Sequence, residues 1–221
     1  MKMSYSGAEE MSVRIIRESD ARSEFGAAIN RLFNESEIGS ARLDSTPLFK
    51  EPTWRELGFP RDLWRASMLF GGGDEPSEYR RALARPWTVW MEIALDLGTR
   101  EIVMVQMPLY TGDSARRTAT VAALAWESIM AAGHAVDIFA CDEWLVFDRS
   151  ESWALRCHWE GFAILGASPA WLQRFSARYG NRAPLKRLFE ECIDSEFGTE
   201  PPDDLYCQTG QAIKRQVRWP E

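Results

Sequence analysis

The chain has 221 residues, of which 45% are apolar and 27% charged, and its 33 acidic and 26 basic side chains leave a formal net charge of −7. That balance excludes a disordered chain, and no apolar run approaches the roughly 18–20 residues of a membrane-spanning helix. Excess acid repels phosphate, so it argues against nucleic acid and favours a basic protein partner or a cationic ligand.

The length fits a single globular domain over 1–221, with a frayed start (1–10) and an irregular tail (198–221). The polar first ten residues resemble no secretory leader, so a cytoplasmic location is expected. Cys141, Cys157, Cys192 and Cys207 lie far apart without paired spacing and read as reduced thiols. Ten tryptophans are many for this length, and they suit either a core of large wedges or anchors at an interface.

In chain order, Val13 and Ile15 alternate as a short strand within Ser12–Arg17. Ser19 or Asp20 then caps a helix to about Asn34, with Phe25, Ile29, Leu32 and Phe33 on one face. Glu35–Pro52 reads as a loop. Thr53-Trp54-Arg55-Glu56 has the form of a capping box opening a short helix. Pro60 starts another, with Leu63, Trp64, Met68 and Leu69 inward, ended by Gly71-Gly72-Gly73. Pro76–Arg85 fits one more helix.

The period then changes. Trp87, Val89, Met91, Ile93, Leu95 and Leu97 recur every second residue, which predicts a strand turning at Gly98-Thr99. Ile102–Met107 is nearly all apolar and predicts a central strand covered on both faces. Asp113 or Ser114 caps an alanine-rich helix to about Ala132, with Gly133 as its C-terminal cap. Val136–Cys141, Trp144–Asp148, Trp153–Glu160 and Phe162–Leu165 follow as strands, with Asp142-Glu143 and Arg149–Ser152 as turns. Such short connections force antiparallel neighbours. Ser168-Pro169 starts a helix carrying Trp171, Leu172, Phe175 and Tyr179 and closed by Gly180, and Pro184–Phe197 forms another. The predicted fold is α+β: an antiparallel sheet of about five or six strands with helices packed on it.

Familiar chemistries find little footing. Only His134 and His158 are present, and Cys157 and His158, adjacent on a strand, leave opposite faces, so no metal site is expected. Cys157 with His134 as base is conceivable, but nothing in the sequence places them together. Gly71-Gly72-Gly73 lacks the lysine and hydroxyl of a phosphate loop and is followed by Asp74-Glu75, so no nucleotide or other cofactor is expected. The basic pairs Arg80-Arg81, Arg116-Arg117, Lys186-Arg187 and Lys214-Arg215 read as solvated faces. Asp142, Glu143, Asp148, Glu151 and Glu160 fall at the ends of one meander. Asp142 and Glu143 share an end with Glu160, and Asp148 shares the other with Glu151.

The segment Asp142–Gly180 is the most distinctive. It combines Trp144-Leu-Val-Phe-Asp148, Trp153-Ala-Leu-Arg-Cys-His-Trp159-Glu160-Gly161 and Ile164-Leu165-Gly166 with a capped helix bearing Trp171 and Phe175. Over these 39 of 221 residues the chain resembles the end of small acidic bacterial immunity proteins, which neutralise partner toxins. The resemblance implies a non-catalytic inhibitor that blocks a toxin with a basic cleft. The expected contact residues are Asp142, Glu143, Trp144 and Glu160, with Asp74 and Glu75 as a second acidic loop. No nucleic acid or membrane partner is expected, and the sequence leaves the oligomeric state open. The alternative is an enzyme using the meander carboxylates on a small cationic or polar substrate.

Overall fold

The computed structural model describes residues 13–34, 47–70, 77–108, 119–135, 141–158, 160–199 and 204–220. Its elements in chain order are β1 (Val13–Ile16), α1 (Glu18–Leu32), β2 (Arg55–Phe59), α2 (Leu63–Phe70), α3 (Glu78–Asp96), β3 (Glu101–Pro108), β4 (Ala119–Ala123), α4 (Trp126–Ala135), β5 (Cys141–Phe147), β6 (Trp153–His158), β7 (Ala163–Ala167), α5 (Pro169–Tyr179), α6 (Ala183–Phe197) and α7 (Leu205–Gln216).

All seven strands join one sheet in the order β1-β4-β3-β5-β6-β7-β2, and every neighbouring pair is antiparallel. The α+β class with helices on an antiparallel sheet is therefore what the chain forms, with seven strands among the described residues rather than five or six. Alternating side chains feed two cores. Ile102, Met104, Trp144, Val146, Leu155 and Cys157 face one core, filled from α2, α3, α4 and α5. Val103, Val105, Leu145, Phe147, Ala154 and Ile164 face the other, filled from α1, α6 and α7. β3 is thus a central strand covered on both faces, as its apolar run predicts.

The C-terminal segment closes one edge. The Glu56 amide donates to the Arg218 carbonyl at 2.9 Å. Glu56, fully buried, accepts from the Arg218 amide at 2.9 Å and from its guanidinium at 2.8 and 3.0 Å. A backbone laid along β2 occupies groups that an exposed edge strand would offer to another chain.

Several expectations need correction. Trp87–Leu97 is not a strand: it continues α3, which buries Leu83, Pro86, Trp87, Val89, Trp90, Met91, Ile93 and Ala94 and leaves Leu95 and Leu97 exposed. Thr53–Glu56 opens no helix, because β2 begins at Arg55. Met68 points outward from α2, where Leu63, Ala66 and Ser67 are buried. Ala119–Ala123 is a strand; the helix starts only at Trp126 and contains Gly133 rather than ending before it. The tail is not irregular throughout, since α7 lies within it. The frayed start, most of the 35–52 loop, Gly71-Gly72-Gly73, Asp113, Ser114, Arg116, Arg117 and residues 136–140 lie outside the described residues.

Other local signals hold. The Ser168 hydroxyl accepts from the Trp171 amide at the start of α5, and Gly180 closes it at φ +84. Lys186 and Arg187 pair with Glu190 and Glu191 one turn on, an exposed charged face of α6.

Candidate functional site

The antiparallel register opposes Glu143 to His158 and Phe59 to Ala163. The start of β5, the β6–β7 turn and the run from β2 into α2 therefore share one end of the sheet. Glu143 and Glu160 meet there, as expected, but their roles differ from the expected ones. Asp142-Glu143 is not a turn: both lie inside β5. Glu143 is 5% and Arg156 2% exposed, and Arg156 Nε donates to Glu143 Oε2 at 2.9 Å. Among the described residues Arg156 Nη1 has no hydrogen-bond partner. Glu143 is thus an interior counter-ion and not a presented charge. Trp144, on the opposite face, is 4% exposed and belongs to the first core. The Asp142 side chain, Asp74 and Glu75 lie outside the described residues.

His158 faces the second core. Its ring stacks on Phe162 at 4.7 Å, and its Nδ1 accepts from the Glu160 amide at 3.2 Å. Burial lowers its pKa to about 4, so the imidazole is neutral at pH 7. The turn then directs Glu160 outward, where it accepts from the Tyr206 hydroxyl at 2.6 Å. Tyr206 is 44% exposed, and its ring lies 4.8 Å from that of Phe197. Burial, the Glu160 hydrogen bond and the Glu160 and Glu196 charges raise the phenol to about 12. Leu205, 70% exposed, precedes it. Asp204, Leu205, Tyr206, Glu160 and Glu196 thus form an acidic corner with an aromatic centre.

On the other face, Asp62 caps α2. Its Oδ1 accepts from the Arg65 amide at 2.8 Å, its Oδ2 from Arg65 Nη1 at 3.0 Å, and its own amide donates to the Gly161 carbonyl at 2.8 Å. Gly161 sits at φ +98, a conformation that suits glycine, and the Arg65 guanidinium packs against it. Burial raises the Asp62 carboxyl above its ordinary range despite these bonds. Asp62, Leu63, Trp64, Met104, Trp144, Val146 and Cys157 line a narrow slot with about 200 Å³ of open space, mouth included. Trp64 is its half-buried member and forms the rim. Gly133 seats Trp64, because a Cβ there would overlap the indole, and the exposed His134 meets that indole edge-on at 5.8 Å.

Cys157 and His158 do leave opposite faces, one into each core. The Cys157 thiol is pushed up by burial and by the charges of Asp62 and Glu143, so it stays protonated, the reverse of an activated nucleophile. Burial likewise raises Cys192 to about 11. Cys157, Cys192 and Cys207 are free thiols.

At the opposite end Asp148 and Glu151 are spent on structure. Asp148 accepts from Thr99 and from the Ser150 amide and hydroxyl. Glu151, at φ +52, pairs with Arg31.

No protein-family model, no curated protein and no solved structure matches this chain. No helix among the described residues is long and apolar enough to cross a membrane.

Sequence reasoning missed Tyr206, Leu205, Asp62 and Trp64. The spacing of Tyr206, Gly210, Ile213 and Val217 carried a helical signal for α7, obscured by the prolines before it. Asp62 three residues before Arg65 carried a cap signal.

Proposed function

We propose that the protein is a non-catalytic inhibitor of the immunity type, which binds a basic protein partner, a toxin with a basic cleft, through the Glu160–Tyr206 corner. The observation that carries this reading is the division of labour at the sheet end. The carboxylates of Glu143 and Asp62 are engaged internally with Arg156 and Arg65, and the Cys157 thiol and His158 imidazole are held neutral. Glu160 and Tyr206 instead face solvent while locked to each other, and Phe197 supports the Tyr206 ring. A tyrosine with few rotamers left to freeze, set among acids, suits an interface anchor, and the net charge of −7 favours fast capture of a cationic surface. The inhibitor acts in the cytoplasm in this reading.

The test uses the protein encoded beside this gene, immobilised for binding kinetics and co-expressed for growth protection. Tyr206→Ala is expected to raise the dissociation rate roughly tenfold or more, as for an interface hot spot. Glu160→Gln is expected to slow association, more so at low salt. Unchanged rate constants in both variants would remove this corner as the interface, and the absence of any complex or protection would remove the inhibitor reading.

A further inference from the structure

The slot beside Asp62 has a chemistry of its own. Its floor and sides are sulfur and hydrocarbon from Cys157, Met104, Val146 and Leu63, with two indoles, and among the described residues Asp62 is its only carboxylate. That carboxylate is almost buried, and burial raises its pKa despite the bonds to Arg65. An ionised carboxylate offers about four acceptor sites. The Arg65 amide, Arg65 Nη1 and the Trp64 amide use three. Among the described residues no fourth donor meets the carboxylate, so one site remains for a further donor.

The field in the slot has a sign. Among the described lining residues Asp62 is the one charged group, and its partner Arg65, bonded at 3.0 Å, is not part of the lining, so the wall presented to the slot is the negative one. Cations suit such a place. Size then selects among them, because the interior admits one group the size of a water molecule. A primary ammonium has that size and carries three donors on a thin alkyl stem, whereas a guanidinium is a broad planar fork and a trimethylammonium is bulkier still. The Trp64 rim supplies an aromatic surface of the kind that attracts cations and covers alkyl stems.

The geometry points to a lysine-tip receptor: the slot between the start of α2 and strands β3, β5 and β6 takes a primary ammonium group, with Asp62 as counter-charge and Trp64 as rim. That the ammonium belongs to a lysine of the basic partner rests on the function proposed above; the preference of the slot for ammonium does not. The slot and the Glu160–Tyr206 corner flank the same β6–β7 turn, since Gly161 accepts from the Asp62 amide and Glu160 accepts from Tyr206. One basic segment lying across this turn would therefore reach both.

The experiment uses the free protein and n-butylammonium, so it needs no partner. The indole N–H resonances of Trp64 and Trp144 are followed by nuclear magnetic resonance. The expected result is a saturable shift with a midpoint of roughly 1–30 mM, the scale of one charge-assisted hydrogen bond with one cation–aromatic contact. n-Butylguanidinium and neutral 1-pentanol are expected to bind at least roughly tenfold more weakly, by the size and charge arguments above. Asp62→Asn is expected to lose the n-butylammonium shift by a similar factor while keeping the fold, because asparagine is an equally good N-cap. No saturable shift in the wild type, or equal binding of pentanol or guanidinium, overturns the proposal without any variant. An unchanged shift in a folded Asp62→Asn does so too. If n-butylammonium binds but no basic protein does, the slot stands and the inhibitor reading falls; if the partner binds through Tyr206 and n-butylammonium fails, the reverse holds.

Discussion

The two ends of the sheet carry the same residue types and use them in opposite ways. At the β5–β6 turn the ion pairs stay outside, Arg31 with Glu151 and both Arg149 and Arg14 with Glu24, while the buried Asp148 is satisfied by uncharged donors from Ser150 and Thr99. At the β6–β7 turn they go inside: Arg156 with Glu143, Asp62 under Arg65, and His158 neutral against Phe162. The first end is a clamp between α1 and the sheet. The second holds its charges in low dielectric, where an unmatched group is costly, and leaves Glu160, Tyr206 and the Asp62 slot accessible to a partner. Among the described meander carboxylates, Asp148 is met by Ser150 within its own turn and by Thr99, Glu143 by Arg156 on the neighbouring strand, and Glu151 and Glu160 by Arg31 and Tyr206 from helices packed on the sheet.

Substitutions test that contrast. The largest effect belongs to the interior pair. Arg156→Met strands the Glu143 carboxylate and should cost about 3–5 kcal/mol in chemical denaturation, whereas Arg156→Met with Glu143→Leu should recover most of it. A double variant as unstable as the single would show that the pair does more than cancel its own charges.

Next is His158. Its folded pKa of about 4 lies below the unfolded value, so between pH 6.5 and 4 the unfolded chain binds the extra proton. The advantage of burying the neutral ring is complete above pH 6.5 and declines as pH falls toward 4, by up to about 3 kcal/mol over the window. The raised carboxyls of Asp62 and Glu56 act in the opposite sense in wild type and variant alike. The difference in unfolding free energy between wild type and His158→Phe, measured from pH 7 to 4, should therefore shift against the wild type as pH falls. A flat difference would mean the ring is not held neutral.

Gly133→Ala follows, at about 1–3 kcal/mol, because a methyl group must displace the Trp64 indole. Its sharper readout is the Trp64 indole resonance, which should move together with loss of n-butylammonium binding. The smallest effect is Arg31→Ala at the clamped end. Its guanidinium is solvent-exposed, and the denaturation midpoint should stay within measurement error.

How far the chain could be read varies with where each partner lies. The strands around Trp144–Phe147, Trp153–Cys157 and Ile164 were legible because their turns are local. Trp87–Leu97 misled because Thr88, Glu92 and Asp96 are both alternate-side and four apart, so one polar set fits a strand and the outer face of a helix. Pro86 inside α3 deepened the error. A proline there removes a helical hydrogen bond at a cost of about 3 kcal/mol, and in this protein burial of Trp87 and Trp90 against Phe59 and Trp153 offsets it. Glu56 had the spacing of a capping box, yet its partner is Arg218, 162 residues away. Of the expected contact residues, Glu160 faces solvent, while Glu143 and Trp144 are interior because β5 extends through them.

By itself the sequence determined what depends on neighbours along the chain: the acidic balance, the antiparallel meander with its short turns, the Ser168-Pro169 helix start, and the opposite faces of Cys157 and His158. Only the tertiary structure decided which carboxylates are interior, which tryptophan borders a slot, and that Tyr206 meets Glu160. Those outcomes rest on contacts between residues far apart in sequence. Burial and pairing there are set by how α2, α6 and α7 pack on the sheet, and no local period encodes that packing.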